Sequence, residues 1–323
     1  MKKMLRTLII TCAVIPFAQC TVLPGYNSAA AAEPAAQTAP VAPPAPAPAV
    51  VATVDADPAL WMMKDDDTTI YLFGSVHVLK PGLSWFDEAV KDAFDKSDEL
   101  MLEIVLPEDQ AAMAKAMLPL AIDQSGKTLS SKLAPDDLKA YQAAMAKLDL
   151  PAAQFDMFEP WFAAMTLSVA PLIKFGYDPE QGAEKQLTNA AKAEGKPISG
   201  LETIDQQIGY FDTLPEFSQI AFLNAVVKDI DTLGSTLDTL VDQWSKGDPD
   251  ALAQTMNESL ESTPDLAKRL LFDRNANWAD QLKARMDEPG TVFVAVGAGH
   301  LAGAHSVQDY LKERGLTVTR VAY

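Results

Sequence analysis

The sequence predicts an α/β (α+β) fold: a central mixed sheet from N- and C-terminal βαβ-like parts, with a large helical insertion lobe. Three observations carry this. Apolar, β-branched runs ending at glycine lie near both ends of the chain, at 69–79 and 291–297. Each is followed by a helical pattern and a second strand-like run. Between them, across 107–290, apolar residues recur at three- and four-residue spacing.

The chain opens on a segment to be set apart from the fold. Lys2, Lys3 and Arg6 precede an apolar run from Leu8 to Ala18, and Ala30-Ala31-Ala32 offers a small-residue cleavage site. Residues 1–32 therefore read as a secretory signal peptide, and the protein as periplasmic or secreted. The run is too short for a membrane span, which needs about 20 residues. Cys20 stands where a lipoprotein would be acylated, but Gln19 occupies a place that favours a small residue, so lipid anchoring is the lesser alternative. Residues 33–58, rich in Ala and Pro, form an extended linker. The domain then spans 59–323. Its formal charge is −18 for the whole chain, or −21 without the three leader cations. So acidic a chain is a poor nucleic-acid binder. Both cysteines leave with a leader cleaved after Ala32, so the core must stand without disulfides.

Taken in order, "TIYLFGSVHVL" (69–79) is a strand with Gly74 inside it. "SWFDEAVKDAFDKSD" follows as a helix with Ser84 and Asp87 as its capping box, then "ELMLEIV" (99–105) as a buried strand. Helices are expected at 108–118, 135–148, 158–174 and 180–194, and "KPISGLE" before Thr203 is a short strand. One long stripe covers 215–245 with a bend or break at Gly234, and helices follow at 248–260 and 264–287. "TVFVAVG" (291–297), "AHSVQDYLKERG" (304–315) and "LTVTRVA" (316–322) close the chain as strand, helix, strand.

Ligands of open α/β sheets lie beyond the carboxyl ends of the strands. His77, Glu103, Glu202 and His300 each close an apolar run and are expected at those ends. Two imidazoles with one or two carboxylates suit a divalent ion such as zinc, manganese or cobalt. The histidines share a context, Gly74-Ser-Val-His77 and Gly297-Ala-Gly-His300, and the chain has only 3 histidines. Gly297 and Gly299 should make a tight bend that lets a substrate approach the backbone. A lone histidine after a strand is more often a hydrogen-bonded structural residue than a ligand; the repeated glycine offset argues otherwise. His305 is expected in the following helix, outside the site. Arg274 and Asn275, in "LFDRNANWADQL", are either a solvated helix face or a binder of a substrate or active-site carboxylate. No Gly-x-Ser-x-Gly elbow, phosphate-binding loop or dinucleotide fingerprint occurs.

The paired Gly-x-x-His motifs, "LET" with "IDQQ" after it, "DRN" and "VGAGHLAG…VQDYLKERGLTV" resemble the TraB/GumN family over about residues 59–323. That family includes the Tiki proteases, which are metal-dependent. The resemblance implies a metallohydrolase acting on a peptide or protein, with His77, His300 and Glu103 as the metal-binding and catalytic set. Glu202 and the Arg274-Asn275 pair match further family positions, and His305 matches none. One glutamate would then be a ligand and the other the general base, with Glu103 preferred as ligand and Glu202 as base over the reverse, and Arg274 an oxyanion or substrate-carboxylate binder. A metal-free hydrolase of the erythromycin-esterase type and a non-catalytic peptide-binding protein remain alternatives.

Overall fold

A computed structural model describes residues 53–107, 109–260 and 264–323. The expected leader, with Cys20, and most of the Ala/Pro-rich stretch lie outside the described residues. The architecture is mixed α/β. Its strands are β1 (Val54–Asp55), β2 (Leu60–Lys64), β3 (Thr68–Ser75), β4 (Leu83–Ser84), β5 (Glu99–Ile104), β6 (Ile198–Glu202), β7 (Gly290–Gly297) and β8 (Thr319–Arg320). β1 and β4 pair in parallel on their own, which ties the chain down from Val54. The other strands form one six-stranded sheet in the order β6-β5-β7-β3-β2-β8.

Strands β6, β5, β7 and β3 run parallel, while β2 is antiparallel to both β3 and β8. The two expected βαβ-like parts are interleaved. From β3 the chain passes through helix α1 (Glu88–Lys96) to β5, leaving a gap one strand wide that β7 fills. From β7 it returns across β3 and β2 to β8. Strands far apart in sequence thus become neighbours, with Gly74 beside Val296 and Ser75 beside Gly297.

The alternation of side chains explains why β3 and β7 are apolar almost throughout. Ile70, Leu72, Val292, Val294 and Val296 face one cluster, with Trp278, Leu282, Val307 and Leu311. Phe73, Phe293 and Ala295 face the other, with Val90, Phe94, Trp85 and Trp244. Helices cover both faces, as parallel sheets require.

Between β5 and β7 the chain is almost wholly helical: α2 (Gln110–Ala121), α3 (Pro135–Lys147), α4 (Pro160–Lys174), α5 (Ala183–Glu194), α6 (Ile204–Asp212), α7 (Glu216–Asp229), α8 (Leu233–Ser245), α9 (Pro249–Leu260) and α10 (Asp273–Arg285). Helix α11 (Val307–Glu313) precedes β8. Among the described residues, no helix is long and apolar enough to cross a membrane.

Several local expectations change. The stripe over 215–245 is two helices, and Gly234 lies against the Phe175 ring, where a methyl group would come within 2.8 Å of it. The expected helix 264–287 contains a π turn at Lys268–Phe272, directly before α10. Ser84 lies in β4 rather than capping α1; its hydroxyl donates to Asp87, whose own side chain makes no capping bond. β2 was not expected, because "LWMMK" is short and not alternating. His305 sits in the loop before α11 with φ +61°, not in the helix.

Candidate active site

The carboxyl ends of β3, β7, β5 and β6 make one rim, as anticipated, and deliver Ser75, Gly297, Glu103 and Glu202 to it. Short turns carry the histidines just beyond. β7 passes into a single 3₁₀ turn, Ala298–Leu301, that holds Gly299 and His300. Gly74 explains itself here: a methyl group on it would lie 3.1 Å from Ala298 Cα, so the turn packs directly on the β3 backbone. Gly297, expected against substrate, gives its N–H to Glu103 Oε1 at 2.6 Å instead.

His77, 6% exposed, is held from the other face of the sheet. The segment after β3 is knitted to the one before α5: Asp178 N–H donates to Leu79 O at 3.0 Å and Ala183 N–H to Val76 O at 2.9 Å. At Gly182 a methyl group would lie 2.1 Å from the His77 carbonyl oxygen, an approach that only glycine allows. This places Glu184, in the first turn of α5, with Oε1 2.5 Å from His77 Nδ1. The Ser75 hydroxyl donates to the same oxygen. Burial opposes ionisation of Glu184, but His77 and the bonds from His77 and Ser75 outweigh it, and the pKa is lowered below 4.5. A carboxylate accepts only, so His77 Nδ1 carries a proton and Nε2 is its lone-pair nitrogen when neutral.

His300 is fully buried and fixed by a parallel argument. Asn275 Nδ2 donates to the His305 carbonyl at 2.7 Å, which sets the amide and turns Oδ1 toward His300 Nδ1 at 2.5 Å. Nδ1 is therefore the donor, and Nε2 accepts from Arg274 Nη1 at 3.2 Å. Burial, then the charges of Arg274 and His77, hold the His300 pKa well below 6.5. The ring packs against Trp278, centroids 4.3 Å apart and the planes tilted by 43°.

Arg274 lies at the centre of this half of the site. Its Nε and Nη2 fork onto Glu202 at 2.8 and 2.9 Å, and Nη2 also reaches Glu103 Oε2 at 2.7 Å. Trp278 lies under the guanidinium, 4.7 Å from ring centroid to Cζ. Glu202 further accepts from Trp278 Nε1 at 2.9 Å and Tyr210 Oη at 3.3 Å. Its position follows from a local signal: Thr203 and Gln206 form a reciprocal capping box that ends β6 and starts α6. One residue on, Gln207 Nε2 reaches Glu103 Oε2 at 3.2 Å. Burial raises the Glu103 pKa, opposed by Arg274 and His77, with Glu202 adding to the rise.

All the residues singled out in the sequence thus meet at one rim except His305. Three assignments change. Asn275 orients His300, Gly297 binds Glu103, and Glu202, expected as general base, has its carboxylate taken up by Arg274, Trp278 and Tyr210. Glu184 was missed, because an acid in a helix's first turn is ordinary by sequence. Glycine at 182, two residues before Glu184, was the available signal.

An α/β sheet whose parallel strand ends gather buried histidines, carboxylates and one arginine defines a candidate hydrolytic or ion-binding centre. The chain belongs to the TraB/PrgY/gumN family, whose model matches residues 59–320. It is 25% identical to YbaP of Escherichia coli (strain K12) over 259 residues, covering 79% of this chain and 92% of that protein. YbaP of Shigella flexneri matches to the same extent. A protein of Treponema pallidum (strain Nichols) is 24% identical over 273 residues, with 79% and 80% covered. No solved structure matches the chain.

Proposed function

We propose that the protein is an exported, divalent-metal-dependent hydrolase that cleaves amide bonds of peptides or proteins. One observation supports it above others. Two imidazoles at the rim each have Nδ1 against a fixed oxygen, of Glu184 or Asn275, which leaves Nε2 as the nitrogen that could ligate, and the buried Glu103 carboxylate lies 3.7 Å from His300 Nε2. Metal-binding histidines have this support, the second ring nitrogen donating to a held oxygen.

Among the described residues no three His, Asp or Glu side chains stand as a group that could hold an ion; the donors suit zinc, manganese or cobalt in kind, and His77 Nε2, His300 Nε2 and a Glu103 oxygen would have to close on it. When bound, such an ion brings the pKa of a water toward 7 and polarises a carbonyl. The chain's own groups do the rest. Glu184 and Asn275 keep the imidazoles in one tautomer. Glu103, its pKa raised by burial and that rise opposed by Arg274, would be kept as a ligating carboxylate by the bonds from Gly297, Gln207 and Arg274. Arg274 offers Nη1 and Nη2 to a developing oxyanion while Glu202 keeps its fork in place. The helices on both faces of the sheet shield these groups from water, which strengthens each interaction.

The test is hydrolysis of a fluorogenic peptide library by the full chain. Chelation should abolish turnover, and added manganese, cobalt or zinc should restore it. His77→Ala and His300→Ala should each lose at least about 100-fold in kcat/KM. A second reading, metal-free hydrolysis, is favoured by one feature: the Arg274 guanidinium already bonds to Glu103, Glu202 and His300. Turnover that survives chelation would select it.

A further inference from the structure

His305 lies outside the rim and is exposed to solvent, yet the support of His300 passes through it. Its backbone is left-handed, with φ +61°, a conformation uncommon for residues other than glycine. Glycine would adopt it without a steric cost. An imidazole fills the position instead, so other contacts must hold the loop in this shape.

Two aromatic side chains supply them. The His305 ring packs on Phe272, with centroids 4.6 Å apart and planes tilted by 39°. Phe272 ends the π turn and stands three residues before Asn275. Tyr310, within α11, adds a second ring 6.1 Å away, and its hydroxyl lies 3.3 Å from His305 Nδ1. Held by these contacts, the left-handed backbone presents its carbonyl to Asn275 Nδ2 at 2.7 Å. The amide then has only Oδ1 to offer His300 Nδ1, at 2.5 Å. An extended backbone at 305 would turn the peptide plane and withdraw that carbonyl. Asn275 would lose the acceptor that decides between its two amide orientations, one of which sets an N–H₂ group against the His300 N–H.

We infer that His305 is a positioning residue, whose left-handed backbone, held by Phe272 and Tyr310, orients His300 through Asn275. Its two parts have separate roles: the exposed ring steadies the loop, and the carbonyl acts on the site. This goes beyond the hydrolase reading and does not depend on an ion, because it concerns only how the His300 ring is held.

Nuclear magnetic resonance of the full chain, with isotopic nitrogen in its histidines, tests it. The chain has only 3 histidines, and His300→Asn identifies the buried one. In the wild type the His300 Nδ1 proton should give a signal that exchanges slowly with water; its absence would overturn the inference at once. His305→Asn and His305→Val both remove the ring, but asparagine tolerates a left-handed backbone and a β-branched residue does not. His305→Val should therefore speed exchange of this proton at least about ten-fold, the factor that the backbone preference is worth, while His305→Asn stays close to wild type. Backbone amides of β7 should be unaltered in both variants. Unchanged exchange in His305→Val would contradict the inference. Equal acceleration in both variants would give the role to the ring alone, and acceleration matched by the β7 amides would mean general loosening; either result overturns it. Should His305→Val fail to fold, His305→Ala takes its place in the same comparison, because its Cβ also disfavours the left-handed backbone.

Discussion

Glu184 settles the chemistry of His77. By taking up Nδ1 it leaves Nε2 as the lone-pair nitrogen of the neutral ring, and Ser75 fixes the carboxylate in turn. On the proposed reading, Glu184→Gln should lower kcat about 10- to 100-fold with KM little changed, the size expected when a residue orients a metal-binding histidine; a loss confined to KM would place Glu184 in substrate binding. His300 has a different signature. Its folded pKa lies well below 6.5, so between pH 7 and 5 the unfolded chain takes up a proton that the folded one refuses. The associated stability is complete above pH 6.5 and drains away as pH falls, by up to about 1.4 kcal/mol per unit. Urea unfolding of wild type and His300→Asn across this range should show a slope difference approaching one proton; parallel slopes would mean that His300 is charged when folded. His77, His300 and Glu103 were legible in the sequence, because an apolar run and its closing polar residue are adjacent. The Glu184–His77 and Arg274–Glu202 pairings were not, since nothing local says which distant carboxylate a helix or turn will present.

The turn at Gly182 and the one after β7 convert sheet topology into site geometry. Gly182 lets α5 begin against the His77 carbonyl, and Gly74 lets the Ala298–Leu301 turn lie on β3. Gly182→Ala should cost about 1–3 kcal/mol, because the methyl group meets backbone that cannot yield. Activity should fall with it as Glu184 is pushed from His77. Unchanged stability and turnover would show that the α5 entry is not what positions Glu184. The strands that carry chemistry were readable because both faces of a parallel sheet are buried and their residues are uniformly apolar. β2 escaped notice because a five-residue strand can be defined by its hairpin and its neighbours alone. The π turn before Arg274 escaped for a related reason: apolar spacing does not distinguish it from α-helix over so few residues.

The whole molecule solves one problem, which is to bring together two similar motifs from opposite ends of the domain. Inserting β7 between β3 and β5 makes Ser75 and Gly297 register partners, so both histidines leave the same rim. The helical segment between β5 and β7 returns Glu184, Glu202, Arg274 and Asn275 to that rim from positions the linear pattern could not pair. The fold class followed from the alternation of strand and helix, while the strand order depends on which hydrophobic faces close the sheet. On the proposed reading the two motifs hold one divalent ion. Elemental analysis of the purified protein, beside a His77→Ala/His300→Ala variant whose melting confirms that it is folded, tests it most directly. Near-stoichiometric manganese, cobalt or zinc is expected in the wild type, and its loss in the variant. Equal metal content in the two proteins, or none in either after incubation with these ions, would contradict it.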